Sequence, residues 1–231
     1  MTPPEESPNS ARAWDAIWSS EGGVSTWRTY PASFQRVLKT VGTKKRILDI
    51  GCGVGILASE LQQAGNDVTG VDISPFAIQE MQSFFPEITG KVADILLPPL
   101  PFEDKDFDWV VATEFLEHFT EENLNTVILP EISRLASRAV FCVPNDSIPK
   151  SQCKEHETVL TPYSLEILLK RHFRFVNIGI FDDVFEIDNK TTPIIAINVI
   201  IARCSQTNDS PKTPVPIDRS PTKIEELEAF L

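Results

Sequence analysis

Short apolar runs alternate with segments whose apolar residues recur every three or four positions, from Lys45 to Arg203. The first kind predicts buried strands and the second amphipathic helices. The expected strands are Ile47–Ile50, Val68–Val71, Lys91–Ala93, Phe107–Ala112 and Arg138–Val143. Between them, Ile56–Ala64 reads as a helix closed by Gly65, and Ser74-Pro75 caps and starts a helix reaching about Phe85. Glu121–Leu135 is a helix interrupted or restarted at Pro130, and Thr161-Pro162 initiates Tyr163–Arg171. Phe175–Phe181 and Pro193–Arg203 are two further strands with no helix between them. This order predicts an α/β fold: a doubly wound, mainly parallel sheet ending in an antiparallel hairpin.

The ends have a different texture. Residues 1–10 are rich in proline and acid, and Ala11–Ser20 places Trp14, Ile17 and Trp18 on one helical face. Gly22-Gly23 breaks that helix, and Pro31 opens another through Leu38. Beyond Arg203 the chain is polar and proline-rich to Thr222, then carries a short apolar stripe of Ile224, Leu227 and Leu231. The divisions are therefore 1–44, 45–204 and a C-terminal tail over 205–231.

Composition narrows the chemistry. A net charge of −12 repels phosphate backbones and makes nucleic acid an unlikely partner. No apolar run approaches the roughly 20 residues that span a bilayer, and the N-terminus lacks a signal pattern. The four cysteines form no Cys-x-x-Cys pair; that usage fits a reducing, cytoplasmic setting without a zinc framework.

The most informative segment is Asp49-Ile50-Gly51-Cys52-Gly53-Val54-Gly55, at the junction of the first strand and helix. Glycines there let the backbone approach a ligand. Asp72, at the end of the second strand, is spaced to bind both hydroxyls of a ribose. A dinucleotide fingerprint needs Gly-x-Gly-x-x-Gly. Here the third glycine falls one place early and Ile56 occupies the required position.

With this spacing and the acid at Asp49, the run resembles motif I of the class I S-adenosylmethionine-dependent methyltransferases. The likeness extends over roughly Lys45–Arg203, through Pro101-Phe102-Glu103-Asp104-Lys105-Asp106-Phe107-Asp108 and Glu114-Phe115-Leu116-Glu117-His118. It implies a seven-stranded Rossmann-like sheet, S-adenosyl-L-methionine as cofactor and a small-molecule acceptor methylated on oxygen or nitrogen. Asp49, Gly51, Cys52 and Gly53 would cradle the methionine end and Asp72 the ribose. Ile73, Asp94 and Ile95 would meet the adenine, and main-chain groups near Thr113 and Glu114 the methionine moiety. Residues 1–44 would form a helical lid, with Tyr30 its best candidate and Trp14 and Trp18 packing on the sheet edge.

His118 is the first candidate for a base, since an imidazole can take a hydroxyl proton near neutral pH. His156, before Thr161-Pro162-Tyr163-Ser164-Leu165, is the second, and His172 reads as structural. Glu114, Glu117, His118 and His156 are also types that hold divalent ions, as in a family of small-RNA 3′-end methyltransferases. The expectation here is no metal. That RNA-end reading stands as an alternative, as does a non-catalytic cofactor-binding scaffold. A nicotinamide oxidoreductase lacks support, because Tyr163 is followed by Ile167 where Tyr-x-x-x-Lys needs lysine.

Overall fold

The computed structural model describes residues 7–20, 31–145, 156–185 and 195–207. Two helices, α1 (Ala11–Ser19) and α2 (Pro31–Val41), precede β1 (Arg46–Ile50), α3 (Ile56–Gln63), β2 (Asp67–Asp72), α4 (Pro75–Phe84) and β3 (Thr89–Val92). After β4 (Trp109–Thr113) comes one turn of 3₁₀ helix, Leu116–His118. Helix α5 follows in three contiguous pieces, Glu121–Asn123, Leu124–Ile128 and Leu129–Leu135, then β5 (Arg138–Pro144), α6 (Pro162–Lys170), β6 (Phe175–Phe185) and β7 (Ile195–Ser205). The sheet has seven strands in the order β3-β2-β1-β4-β5-β7-β6. Strands β1 to β5 pair in parallel and β7 runs antiparallel to both neighbours.

Strand alternation divides the core. Leu48, Ile50, Val110, Ala112, Phe141 and Val143 face the apolar side of α5 and α6, through Leu124, Ile128, Ile132, Leu165 and Leu169. Ile47, Val111, Val140 and Cys142 face the other way onto Val37, Leu61 and Met81 of α2, α3 and α4. Burial on both faces explains why the central strands are continuously apolar rather than alternating.

Several boundaries differ from the sequence expectation. β3 starts at Thr89 and stops at Val92, because its register follows Thr69–Asp72 of β2. β4 begins at Trp109, with Phe107 forming only an isolated bridge to Ala136. β6 runs on past its expected end to Phe185, and β7 runs on past Arg203 to Ser205, the two pairing from Phe175↔Ser205 to Phe185↔Ile195. The expected restart at Pro130 is present, the regular α-helix resuming at Leu129 with Pro130 in its first turn. Proline would clash with the carbonyl four residues earlier in a regular helix. The turn over Leu124–Ile128 instead widens to π-helical spacing, with the Leu129 N–H bonding the Leu124 carbonyl. Tyr30, Trp27, Cys153 and the tail beyond Thr207 lie outside the described residues.

The loop entering β4 is held by one side chain. Arg134 binds both oxygens of Glu131, the Asp104 carboxylate and the carbonyls of Leu100 and Phe102. Glu131, only 5% exposed, also accepts the Leu100 N–H. Replacing Arg134 by alanine leaves that carboxylate buried without its cation. The variant should lose roughly 2–4 kcal/mol of stability in urea unfolding, whereas Arg171→Ala, at an exposed ion pair with Glu121, should stay within about 1 kcal/mol.

Candidate active site

The strand order reverses between β1 and β4, and a pocket opens there at the carboxyl ends of the strands. Ligands of open α/β sheets bind at such crossovers. β1 and its loop supply Asp49, Gly51, Cys52 and Gly53; β2 supplies Asp72 and Ile73. The segment after β3 supplies Asp94 and Ile95, and that after β4 supplies Glu114, Phe115 and His118. All the expected cofactor-side residues therefore meet at one pocket.

The two acids differ in how they are held. Both oxygens of Asp72 are engaged, Oδ2 by the Gly53 N–H and Oδ1 by the Ser74 N–H, each at 2.9 Å. This locks the acid to the glycine loop. Asp49 Oδ2 is buried and has no hydrogen-bond partner among the described residues. Burial, and then the neighbouring charge of Asp72, push the Asp49 pKa up to about 8. Burial also raises the Asp72 pKa, against the lowering effect of its backbone hydrogen bonds. The pair is a buried, cation-seeking site.

Left-handed backbone shapes the loop. Gly53 has φ +51°, and a Cβ there would lie 2.5 Å from the Trp18 ring. At Gly51, with φ +72°, it would meet Phe115 at the same distance. Glycine is required at both places for conformation and for space. Glu114 is a non-glycine residue with φ +49°, tied by its N–H to the Cys142 carbonyl at 2.8 Å. Such strained positions cluster at functional sites.

Other expected residues show divided roles. Cys52 borders the pocket, but its sulfur turns inward to Met81 at 3.8 Å, and burial followed by the charges of Asp72 and Asp49 holds the thiol protonated. Asp94 forms a local turn, its Oδ1 accepting the Leu96 N–H at 2.9 Å. Ile95 belongs to the core as well as to the pocket wall. His118 is 6% exposed and lines the pocket; His156 sits behind it, the two rings T-shaped with centroids 5.2 Å apart. His172 is remote, its ring nitrogen 3.3 Å from Asn125 Oδ1.

Sequence reasoning expected a helical lid from residues 1–44 but did not single out the polar residues of α1 and its approach. Trp14 and Trp18 pack α1 against Val54, Phe76 and Ala77 rather than on the sheet edge, and both line the pocket, Trp14 edge-on to His118 at 5.0 Å. Asp15 Oδ1 accepts from the Ser74 hydroxyl and from the Phe76 N–H, docking α1 at the start of α4. Asn9 donates to the His118 carbonyl at 2.7 Å. The spacing of Trp14 and Trp18 was legible. The capping role of Asp15, which crosses about 60 positions, was not.

The comparisons agree with this geometry. Residues 47–137 match the family described as methyltransferase domain. Over that stretch the chain is similar to a methyltransferase domain. The magnesium-protoporphyrin O-methyltransferase of Rhodobacter capsulatus is 30% identical over 145 residues, covering 57% of this chain and 63% of that protein. A ubiquinone biosynthesis O-methyltransferase of Alkalilimnicola ehrlichii is 39% identical over 110 residues, 46% of this chain and 44% of that protein. The chain thus spans less than two thirds of the length of either relative. The fold matches that of magnesium protoporphyrin IX methyltransferase from Synechocystis PCC 6803, solved with bound SAH, at TM-score 0.58 and 18% identity, over 86% of this chain and 96% of that one. Among the described residues no helix is long and apolar enough to cross a membrane.

The raised Asp49 pKa has a consequence for stability. In the unfolded chain Asp49 ionises near pH 4, while in the fold it holds its proton to about pH 8. The folded state therefore binds the extra proton, and the stability of the empty domain falls as pH rises through that window. Asp49→Asn removes the dependence. Its melting temperature should exceed that of the parent at pH 8, with the gap closing toward pH 4, and scanning calorimetry at the two pH values checks it.

Proposed function

We propose that this protein transfers a methyl group from S-adenosylmethionine to an oxygen of a small-molecule acceptor. The carrying observation is the partnerless, buried Asp49 oxygen one strand away from the doubly anchored Asp72. Those two acids fit the cofactor's ammonium and ribose ends, while Ile73, Asp94 and Ile95 bound the space for the adenine. The oxygen preference draws on the two relatives, both O-methyltransferases.

When bound, the cofactor supplies an electrophilic methyl on a sulfonium. The protein's part is positioning, exclusion of water and help with the acceptor proton. Asp49 and the left-handed glycine loop fix the methionine end. Phe115 and Trp18 roof the loop. Helix α1, latched through Asp15, serves as a lid whose Trp14 and Trp18 keep the pocket dry. His118, backed by His156, faces the acceptor and activates it.

Cofactor and acceptor functions separate by mutation. Asp72→Asn should weaken S-adenosylhomocysteine binding by roughly 10–100-fold in calorimetric titration. His118→Ala should lower turnover with the true acceptor by about 10²–10⁴-fold while leaving cofactor affinity within about threefold. Tight NAD binding without S-adenosylhomocysteine binding would defeat the reading. The acceptor is found by transfer of labelled methyl into a metabolite extract, which should label a small molecule and not protein or RNA.

A further inference from the structure

Glu117, His118 and His156 meet beside the pocket, and His118 is the one of the three that lines it. One ligand atom from each lies within 4.8 Å of the others. Glu117 is fully buried and His118 nearly so, at 0% and 6% exposure. The cluster joins two segments far apart in sequence by a backbone clamp. The Glu117 carbonyl accepts the N–H groups of Glu157 at 2.9 Å and Thr158 at 3.1 Å. Thr158 Oγ1 adds a bond to the Phe119 carbonyl at 2.5 Å. From the lid side, Trp14 packs edge-on against His118, and Asn9 bridges the His118 carbonyl and the Glu157 carboxylate.

We propose that Glu117, His118 and His156 form a site for a divalent transition-metal ion, which takes an oxygen of the acceptor as a further ligand. This departs from the sequence expectation of no metal. It rests on the reading that the acceptor lies at this end of the pocket. Ligands about 2.1 Å from one ion stand roughly 3–4 Å apart, so a side-chain contraction of about an ångström closes the set. Two imidazoles and one carboxylate select zinc-like ions over magnesium or calcium, which prefer all-oxygen shells. Three protein ligands leave coordination positions open, and His118 brings the cluster to the pocket. The clamp, Trp14 and Asn9 supply the outer contacts that hold ligands in place.

The ion explains how the histidines serve the acceptor. Coordination acidifies the acceptor hydroxyl, whose proton leaves to solvent. The freed oxygen pair forms the new O–C bond, and the C–S pair stays on sulfur as a neutral thioether. In this arrangement both imidazoles are ligands and neither receives the proton.

The test uses the full chain, dialysed against chelator and titrated with Co²⁺, whose visible absorption reports its ligand field. Expected are one Co²⁺ per chain, displacement by Zn²⁺ but not by excess Mg²⁺, and at least tenfold weaker binding in Glu117→Gln and His156→Gln. S-adenosylhomocysteine affinity, measured on each sample, should be unchanged and verifies folding. If Glu117→Gln fails that check, the half-buried His156→Gln decides. Methyl transfer should vanish on chelation and return with Zn²⁺ or Co²⁺. Absent or non-stoichiometric Co²⁺ binding, binding indifferent to both substitutions, or full transfer by metal-free protein would overturn the proposal. Loss of S-adenosylhomocysteine binding by the parent protein would instead defeat the methyltransferase reading.

Discussion

Two carboxylates at the ends of adjacent parallel strands set the terms for the rest of this molecule. Asp49 and Asp72 are 1% and 8% exposed, in a place where the low dielectric makes each charge costly and their mutual repulsion costlier. Asp72 is stabilised by the glycine-loop amide and by the start of α4. That leaves Asp49 to hold its proton until a cation arrives. The fold keeps this strained arrangement because the sheet around it is packed on both faces and cannot relax locally.

The seating of α1 is tied to the same acids. The Ser74 that binds Asp72 through its N–H binds Asp15 through its hydroxyl. Asp72 and α1 therefore share one residue, so the position of α1 and the shape of the pocket are mechanically linked. The Trp18 ring occupies the space over Gly53 that any side chain would claim, and Trp14 continues the cover to His118. Asp49, Asp72, Trp14, Trp18 and His118 line one contiguous pocket.

The sheet and the cofactor half were legible in the sequence because they obey local rules. Continuous apolar runs fixed β1, β4 and β5, and the early third glycine with Asp72 selected the cofactor class. In helix α5 Pro130 marked the restart, but not the π-widened turn before it that keeps Leu124, Ile128 and Ile132 on the core face. The lengths of β6 and β7 come from their mutual pairing rather than from their composition. The acceptor end was legible only as residue types. Glu117, His118 and His156 are brought together by the clamp at the Glu117 carbonyl, a tertiary contact that no local pattern announces. Asp15 and Asn9 were invisible for the same reason.

The central claim is that Asp49 waits, protonated, for the positive end of the cofactor. Calorimetric titration with S-adenosylhomocysteine at pH 6.5, repeated in buffers of different ionisation enthalpy, counts the protons exchanged on binding. The account predicts release of close to one proton per chain, abolished in Asp49→Asn. Binding with no proton release, or release unchanged in that variant, would contradict it.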